Sequence, residues 1–425
     1  MASLTNKQYR FAFILITSLF FLWGFAHNLD PILIPHLKRS FTLTTTQSTL
    51  IDTAVYMAYF IMAIPAGFVM KKYGYKTGII MGLLTFAVGS FLFIPAANTQ
   101  QYTFFLIALF IIACGLATLE TAANPYASAL GDAETATQRL NLSQSFNGLA
   151  TALAPTIGAM IILTEGYSDD ELNAMTATAK KLALASEAST VKMPYFILGS
   201  VLVVVAIAFA FTKLPDIRTK ENSASKGNIL RAFRHSNLSW GVAAQFFYVG
   251  AQTCVLSLFI LYATEAAGIA ELSAAYYLSA CGFAFLAGRF LSTLVFMRFM
   301  KPHHLLTLYS AMCVLLCIVA LICQGMVTIY AIIGISFFMS IMFPTIFSLG
   351  IANLGADREF GSSLIIMSIV GGAIIPRLFG YVADATGNIQ YGYIVTLICF
   401  LVVMLFGIKG YKTTNNKIIK SPTVN

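Results

Sequence analysis

The stretch "KLPDIRTKENSASKGNILRAFRHSN" (213–237) decides the fold through what flanks it. Six long apolar runs precede it, at roughly 10–36, 46–70, 77–97, 101–129, 139–164 and 194–213. Six more follow, at 237–264, 272–298, 303–324, 327–353, 360–385 and 391–409. A span of about 20 apolar residues crosses the hydrocarbon core of a bilayer. The stretch between the two sets is rich in Lys, Arg and Ser, the composition of a solvated connector. The chain therefore reads as an all-α polytopic membrane protein of twelve transmembrane helices in two six-helix halves. The halves are expected at 1–213 and 237–425, the second with a short basic tail, joined by a linker at 214–236.

Composition excludes a soluble protein. Of 425 residues, 58% are hydrophobic and 10% charged, and 35 are Phe, so too few polar groups remain to cover a water-exposed surface. The net charge of +9 raises the possibility of a nucleic-acid partner. Its distribution argues otherwise. Lys7 and Arg10, Lys71, Lys72 and Lys76, Arg139, the central link, Arg298 and Lys301, Arg358, and Lys409 to Lys420 all fall in loops on one side. That bias is a topology signal, which places both termini in the cytoplasm and the chain in the inner (plasma) membrane. The partners expected are the lipid bilayer and a small molecule, with no nucleic acid and a monomeric chain.

Lys7 and Arg10 before a long apolar run resemble a leader peptide. The run is too long, however, and no small-residue cleavage site follows, so it reads as the first span. The seven cysteines lie in apolar segments without metal-ligand spacing and read as small buried hydrophobes. No phosphate-cradling Gly-rich loop, metal cluster or nucleophile–base set is visible, so the chain is expected to be no enzyme and to need no cofactor. The loop 165–193 is readable as a short external helix and nothing more.

Within such a chain, "GLATLETAANPY" (115–126) places a carboxylate, Glu120, deep in an apolar run. A charge at helix centre costs about 2.5–3.5 kcal/mol on insertion scales, so such residues face a wet cavity or a partner. Asn124, four residues on, shares its face. A carboxyl that exchanges its proton between two aqueous sides is what proton coupling requires; the bland alternative is a hydrogen-bonding group between helices. The first span offers Trp23, His27 and Asp30 on one stripe with Asn28 beside it. Pro31 disfavours helical geometry at Asp30. A broken helix there would line a cavity, and the alternative is a solvated Asp30 at the outer mouth.

The fifth span carries Asn141, Gln144 and Asn147 at intervals of three, and the seventh carries Gln245, Tyr248 and Gln252 at i, i+3 and i+7. Amides supply both donors and acceptors for hydroxyls, and aromatic faces cover the apolar side of a sugar ring. Singly, such amides also serve as glue between helices. Together, in both halves, they favour a polar neutral ligand. Arg377, directly after Pro376, is a possible charge partner for Glu120 or Asp30, or a contact for an anionic substrate group.

These residues resemble the fucose:proton symporter family of the major facilitator superfamily. The stretches that carry the resemblance are "FFLWGFAHNLDPILIPHLKRSFTLT" (20–44), "IPAGFVMKKYGYKTGII" (64–80), "GLATLETAANPY" (115–126) and "RLNLSQSFN" (139–147). In the second half they are "AQFFYVGAQT" (244–253), "FMSIMFPTIFSLGIANLG" (338–355) and "GYVADATGN" (380–388). The resemblance implies a major facilitator fold and proton-driven import of a hexose-type sugar, L-fucose first, by alternating access. It implies that Glu120 is the proton-responsive group and that Gln144 lies close to the sugar. The family's Asn-Asp pair in the first helix is Asp30-Pro31 here. The carboxylate has moved back one residue, a rotation of about 100°, and Asp30 stays a second proton-coupling candidate. The family shares Lys71 where the wider superfamily has an acid, while Arg377 stands where the family carries no charge. Glucose, galactose, an amino sugar or an acidic sugar are the alternative substrates. A uniporter or a non-transporting sensor is the alternative mechanism.

Overall fold

The structure, a computed structural model, describes residues 7–27, 45–99, 101–162, 191–215 and 229–412, with a few isolated positions between 175 and 189. Among these residues all regular structure is helical. The first half contains α1 (Arg10–His27), α2 (Thr45–Tyr73), α3 (Tyr75–Thr99), α4 (Tyr102–Ala129), α5 (Ala136–Ile162) and α6 (Lys192–Phe211). The second contains α7 (Ser236–Ser257, then Phe259–Ala267), α8 (Glu271–Leu291) and α9 (Pro302–Ile322). It continues with α10 (Met326–Met339, then Met342–Gly350), α11 (Arg358–Met367, then Gly371–Thr386) and α12 (Tyr393–Leu405). Wide π turns at Ser292–Phe296 and Phe406–Gly410 extend α8 and α12.

Nine helices among the described residues are long and apolar enough to cross a membrane unaided, and α7 makes a tenth as a pair bent by 58°. The other two spans expected from sequence correspond to α1 and α5. The second of these is 27 residues long, about 40 Å at the helical rise, and carries the polar stripe already noted.

Prolines shape the interior helices. A proline lacks the N–H that would bond the carbonyl four residues earlier, and its ring crowds that carbonyl. Pro344 thereby frees Ser340, and α10 breaks there into its two segments. Pro125, inside α4, frees Thr121 in the same way without ending the helix. The span expected at 327–353 is present at Met326–Gly350, interrupted at Ser340 and Ile341.

Packing divides the bundle into two sets. Within the first half α3 lies against α4 and α6, and α1 against α5; within the second, α9 lies against α10 and α12, and α7 against α11 and α12. Across the boundary, α2 meets α11 while α5 meets α8 and α10, a crossed pair of contacts that relates the halves. Small residues permit the closest approaches, as they do generally in membranes. A Cβ added to Gly115 would lie 2.5 Å from the Phe86 nitrogen of α3. All seven cysteines are free thiols, five of them fully buried, consistent with their reading as packing groups.

The chain turns are tied by polar side chains. Arg139, counted from sequence among the basic residues of one side, is completely buried. Its guanidinium donates to the carbonyls of Asp132 (2.9 Å) and Ser128 and to the Thr135 hydroxyl, closing the C-terminal end of α4. Asn237 of α7 donates to the carbonyls of Leu349, Gly350 and Ala352 at 3.0–3.3 Å, which secures the end of α10. Asp357, buried at the α10–α11 turn, forms an ion pair with Arg231 at 3.4 Å and faces His235 at 3.3 Å. The last residues of the linker are thereby anchored to the second half.

Candidate functional site

Glu120 lies on α4 about 14 Å from that helix's end at Ala129, by the 1.5 Å rise per residue. The same count puts Gln144, Gln245 and Ser340 about 12–15 Å from the ends of their own helices on the same side, and Arg289 about 15 Å from Phe299, where the turns that continue α8 end. That side is the basic one, where Arg139, Arg231, Arg298 and Arg358 gather. Five helices of both halves thus bring polar groups to one level.

At that level Glu120 is half-buried, and its Oε1 accepts a hydrogen bond of 2.9 Å from the hydroxyl of Tyr59 on α2. One turn further along α4, Asn124 is fully buried, and its Oδ1 accepts from Gln144 Nε2 of α5 at 3.1 Å. Among the described residues the Asn124 amide nitrogen has no partner, a rare condition for a buried donor and one that calls for an explanation. Gln245 on α7 is more extreme: completely buried, with neither its nitrogen nor its oxygen bonded to a described residue. The structure therefore joins Glu120, Asn124 and Gln144, and sets beside them amides with unused hydrogen-bonding capacity.

Other sequence candidates are placed differently. Tyr248 has no solvent exposure, and its hydroxyl donates at 3.1 Å to the Met339 carbonyl at the break in α10. It supports the broken helix in this conformation. Tyr248→Phe is expected to lower thermal stability by about 1 kcal/mol, the value of one hydrogen bond, while sugar affinity measured by titration changes less than about twofold.

Asn147 donates to the Phe20 carbonyl of α1 at 3.3 Å, and Gly24 leaves room for its side chain, so part of its amide serves helix packing. Gln252 is half-buried, one turn beyond Tyr248, and its amide is engaged by no described residue. Trp23 is buried against Phe20, with ring centroids 4.2 Å apart. Arg377 is exposed and forms no ion pair with a described carboxylate. Asn28 and Asp30, together with the side chain of His27, lie outside the described residues.

A residue that sequence reading passed over completes the level. Arg289 of α8 is 4% exposed. Its Nε donates to the Ser340 carbonyl at 2.7 Å, and its Nη1 donates to the Gln144 carbonyl at 2.8 Å. The face of its guanidinium lies 4.5 Å from the ring of Phe285. Pro344 frees the Ser340 carbonyl, and Arg289 uses it. The first half repeats the device: Pro125 frees the Thr121 carbonyl, and Ser362 of α11 donates to it at 2.7 Å. Thr121 is the neighbour of Glu120. The signal available in sequence was an Arg ten residues inside a span together with the prolines at 125 and 344.

Side-chain hydrogen bonds between the halves, among the described residues, lie at this level or closer to the basic end. Thr137 pairs with Ser348 (2.9 Å), Asn141 with Thr345 (3.2 Å) and Gln138 with the Thr293 carbonyl (2.9 Å). Arg358 donates to the Pro125 carbonyl at 3.1 Å, and Tyr75 reaches Glu359 at 3.4 Å. Lys71 sits 5.1 Å from the ring centroid of Phe360, a cation–π contact across the boundary.

Comparison with known proteins places this geometry. The family described as Major Facilitator Superfamily matches residues 11–367. The chain is 41% identical over 419 residues to the L-fucose-proton symporter of Escherichia coli (strain K12), covering 97% of this chain and 95% of that one. It is 38% identical to the glucose/galactose transporter of Brucella abortus biovar 1 (strain 9-941), covering 96% of both. The crystal structure of the transporter FucP in the outward conformation superposes with a TM-score of 0.87 at 41% identity, over 95% of this chain and 99% of that one.

Proposed function

Because the chain belongs to the Major Facilitator Superfamily, we propose that it imports a hexose-type sugar by alternating access, with proton movement as the driving reaction and L-fucose as the first substrate to test. The observation that carries this reading is the layered arrangement around α4. A half-exposed Glu120 held by Tyr59 sits one turn from the buried Gln144–Asn124 pair. Glu120 takes the proton, since a neutral carboxyl can be enclosed between the halves without the cost of burying a charge. The amides Gln144, Asn124 and Gln252 bind hydroxyls, and Gln245 contributes its unused donor and acceptor as the halves rearrange. The proton is the coupling ion, and no cofactor takes part. Asp30 serves as a second proton-carrying group.

The basic end is the cytoplasmic one, which puts both termini inside and the chain in the cytoplasmic membrane as a monomer. Because the bonds between halves gather at that end, the conformation described is closed to the cytoplasm. The likeness to a transporter in the outward conformation supports this. A second reading, glucose or galactose as substrate, is favoured by the similarity to the Brucella transporter. Arg377 supports an acidic sugar only if it turns toward the cavity.

Proteoliposomes with an imposed pH gradient provide the test. L-fucose, D-glucose, D-galactose, an amino sugar and a uronic acid are compared for uptake with and without the gradient. Gradient-dependent accumulation of one neutral hexose is expected. Uptake indifferent to the gradient would identify a uniporter, and binding without transport would identify a sensor.

A further inference from the structure

We propose that the basic end of the second half carries a binding site for the headgroup of an anionic phospholipid, formed where α8, α9 and α12 meet. Most other basic side chains described at that end are occupied. Lys76 donates to the carbonyls of Ala210 and Thr212 at 2.7 and 3.0 Å, closing α6. Arg139, Arg231 and Arg358 have the partners given above, and Lys71 and Lys72 lie over aromatic rings.

Around the start of α9 the situation differs. Arg298, Lys301, His304, Lys409 and Lys412 are all exposed, and none forms an ion pair with a described carboxylate. They belong to one patch. The ring of His303 stacks on Tyr411 at 4.1 Å and touches His304 at 4.1 Å, and Lys301 and Lys412 lie within electrostatic reach of it. The two π turns flank the patch: the one ending α8 precedes Arg298, and the one ending α12 contains Lys409.

The border of the patch is apolar. Trp240 is 44% exposed and packs on Gly410, and Phe299 is 78% exposed. Tryptophan at such a position is the usual marker of headgroup depth. Topology signalling alone asks only for positive charge in the loops. It does not ask that unpaired cations from two chain segments converge beside an aromatic rim. A phosphate-bearing headgroup neutralises the cations while its acyl chains lie along Trp240 and Phe299. A free phosphate ion satisfies only the first requirement.

The protein contains two tryptophans, Trp23 and Trp240. Trp23 is 2% exposed and gives a constant background, so fluorescence quenching reports on the patch. The full chain is reconstituted in phosphatidylcholine vesicles and titrated with phosphatidylglycerol carrying brominated acyl chains, or with equally brominated phosphatidylcholine. Quenching of Trp240 is expected to saturate at a far lower mole fraction of the anionic lipid. In Lys301→Gln/Lys412→Gln the apparent affinity should fall roughly twenty-five-fold, about fivefold per lysine removed from an anionic surface. Lys72→Gln, at the same end but outside the patch, should leave it unchanged.

Equal quenching by both lipids would overturn the proposal. An equal loss in Lys72→Gln would also overturn it, because binding would then follow overall charge. Recovery of fluorescence on adding inorganic phosphate would assign the site to phosphate ions and overturn the lipid assignment.

Discussion

Glu120→Gln is expected to abolish uphill accumulation of sugar while leaving exchange of labelled for unlabelled sugar across the membrane intact. The size of the effect follows from the driving force. A potential of about 100 mV is worth roughly 2.3 kcal/mol for each charge moved, which sustains about fiftyfold accumulation if one proton accompanies each sugar. The amide keeps the shape of the neutral carboxyl and its contact with Tyr59 but cannot release a proton. The accumulation ratio should therefore fall from about fiftyfold to about one under the same gradient. Counterflow with equal sugar on both sides should stay within about a factor of three, because the sugar contacts and the rearrangement of the halves need no net charge movement. Wild-type accumulation by this variant would remove the proton from Glu120.

Arg289→Ala should reduce initial uptake by about a hundredfold, and Arg289→Lys should restore little of it. The guanidinium satisfies the Ser340 and Gln144 carbonyls at once, with donors held in a fixed plane. Without it the Ser340 carbonyl, which Pro344 already deprives of a helical partner, is left unpaired and buried, at about 1–3 kcal/mol, and the Gln144 carbonyl loses its bond across the boundary. A lysine places a single ammonium where a planar fork is required. Misfolding is distinguished by ligand-induced thermal shift in detergent. A folded variant that still binds sugar but transports it slowly supports a role in positioning α5 against α10. Full transport by Arg289→Lys would show that charge alone suffices and would contradict that role.

The class and the division into halves were legible because hydropathy and loop charge act over long windows, where a few misread residues do not matter. Glu120 was legible for a different reason: a carboxylate in an apolar run is costly enough that its presence is a signal by itself. Arg289 obeys the same rule yet was passed over, because it stands in the last third of a span whose end is basic anyway. Arg139 was counted only among the basic residues of one side, since sequence does not show that the carbonyls of Ser128 and Asp132 turn back toward it. Gln144 and Tyr248 looked alike on their stripes. Only the tertiary structure shows that the first meets Asn124 beside Glu120 and the second meets the backbone at a helix break. A helical face can be read from periodicity, but whether it meets a cavity or a neighbour is set by the other helix.

The prolines at 125 and 344 have a consequence for how this protein tolerates change. The acceptors at the boundary that Ser362 and Arg289 use are main-chain carbonyls, so no replacement of the side chain at Thr121, Ser340 or Gln144 can delete them. Genetic variation can reach these contacts only through their donors or through the prolines that expose two of the carbonyls. Replacing Pro125 by alanine would return the Thr121 carbonyl to its own helix and weaken a contact between the halves, while replacing Pro344 would do the same to the Ser340 carbonyl and loosen Arg289 inside the second half. Second-site revertants of a boundary defect should therefore concentrate at positions 125, 289, 344 and 362, leaving the chemically richer cavity face unaltered.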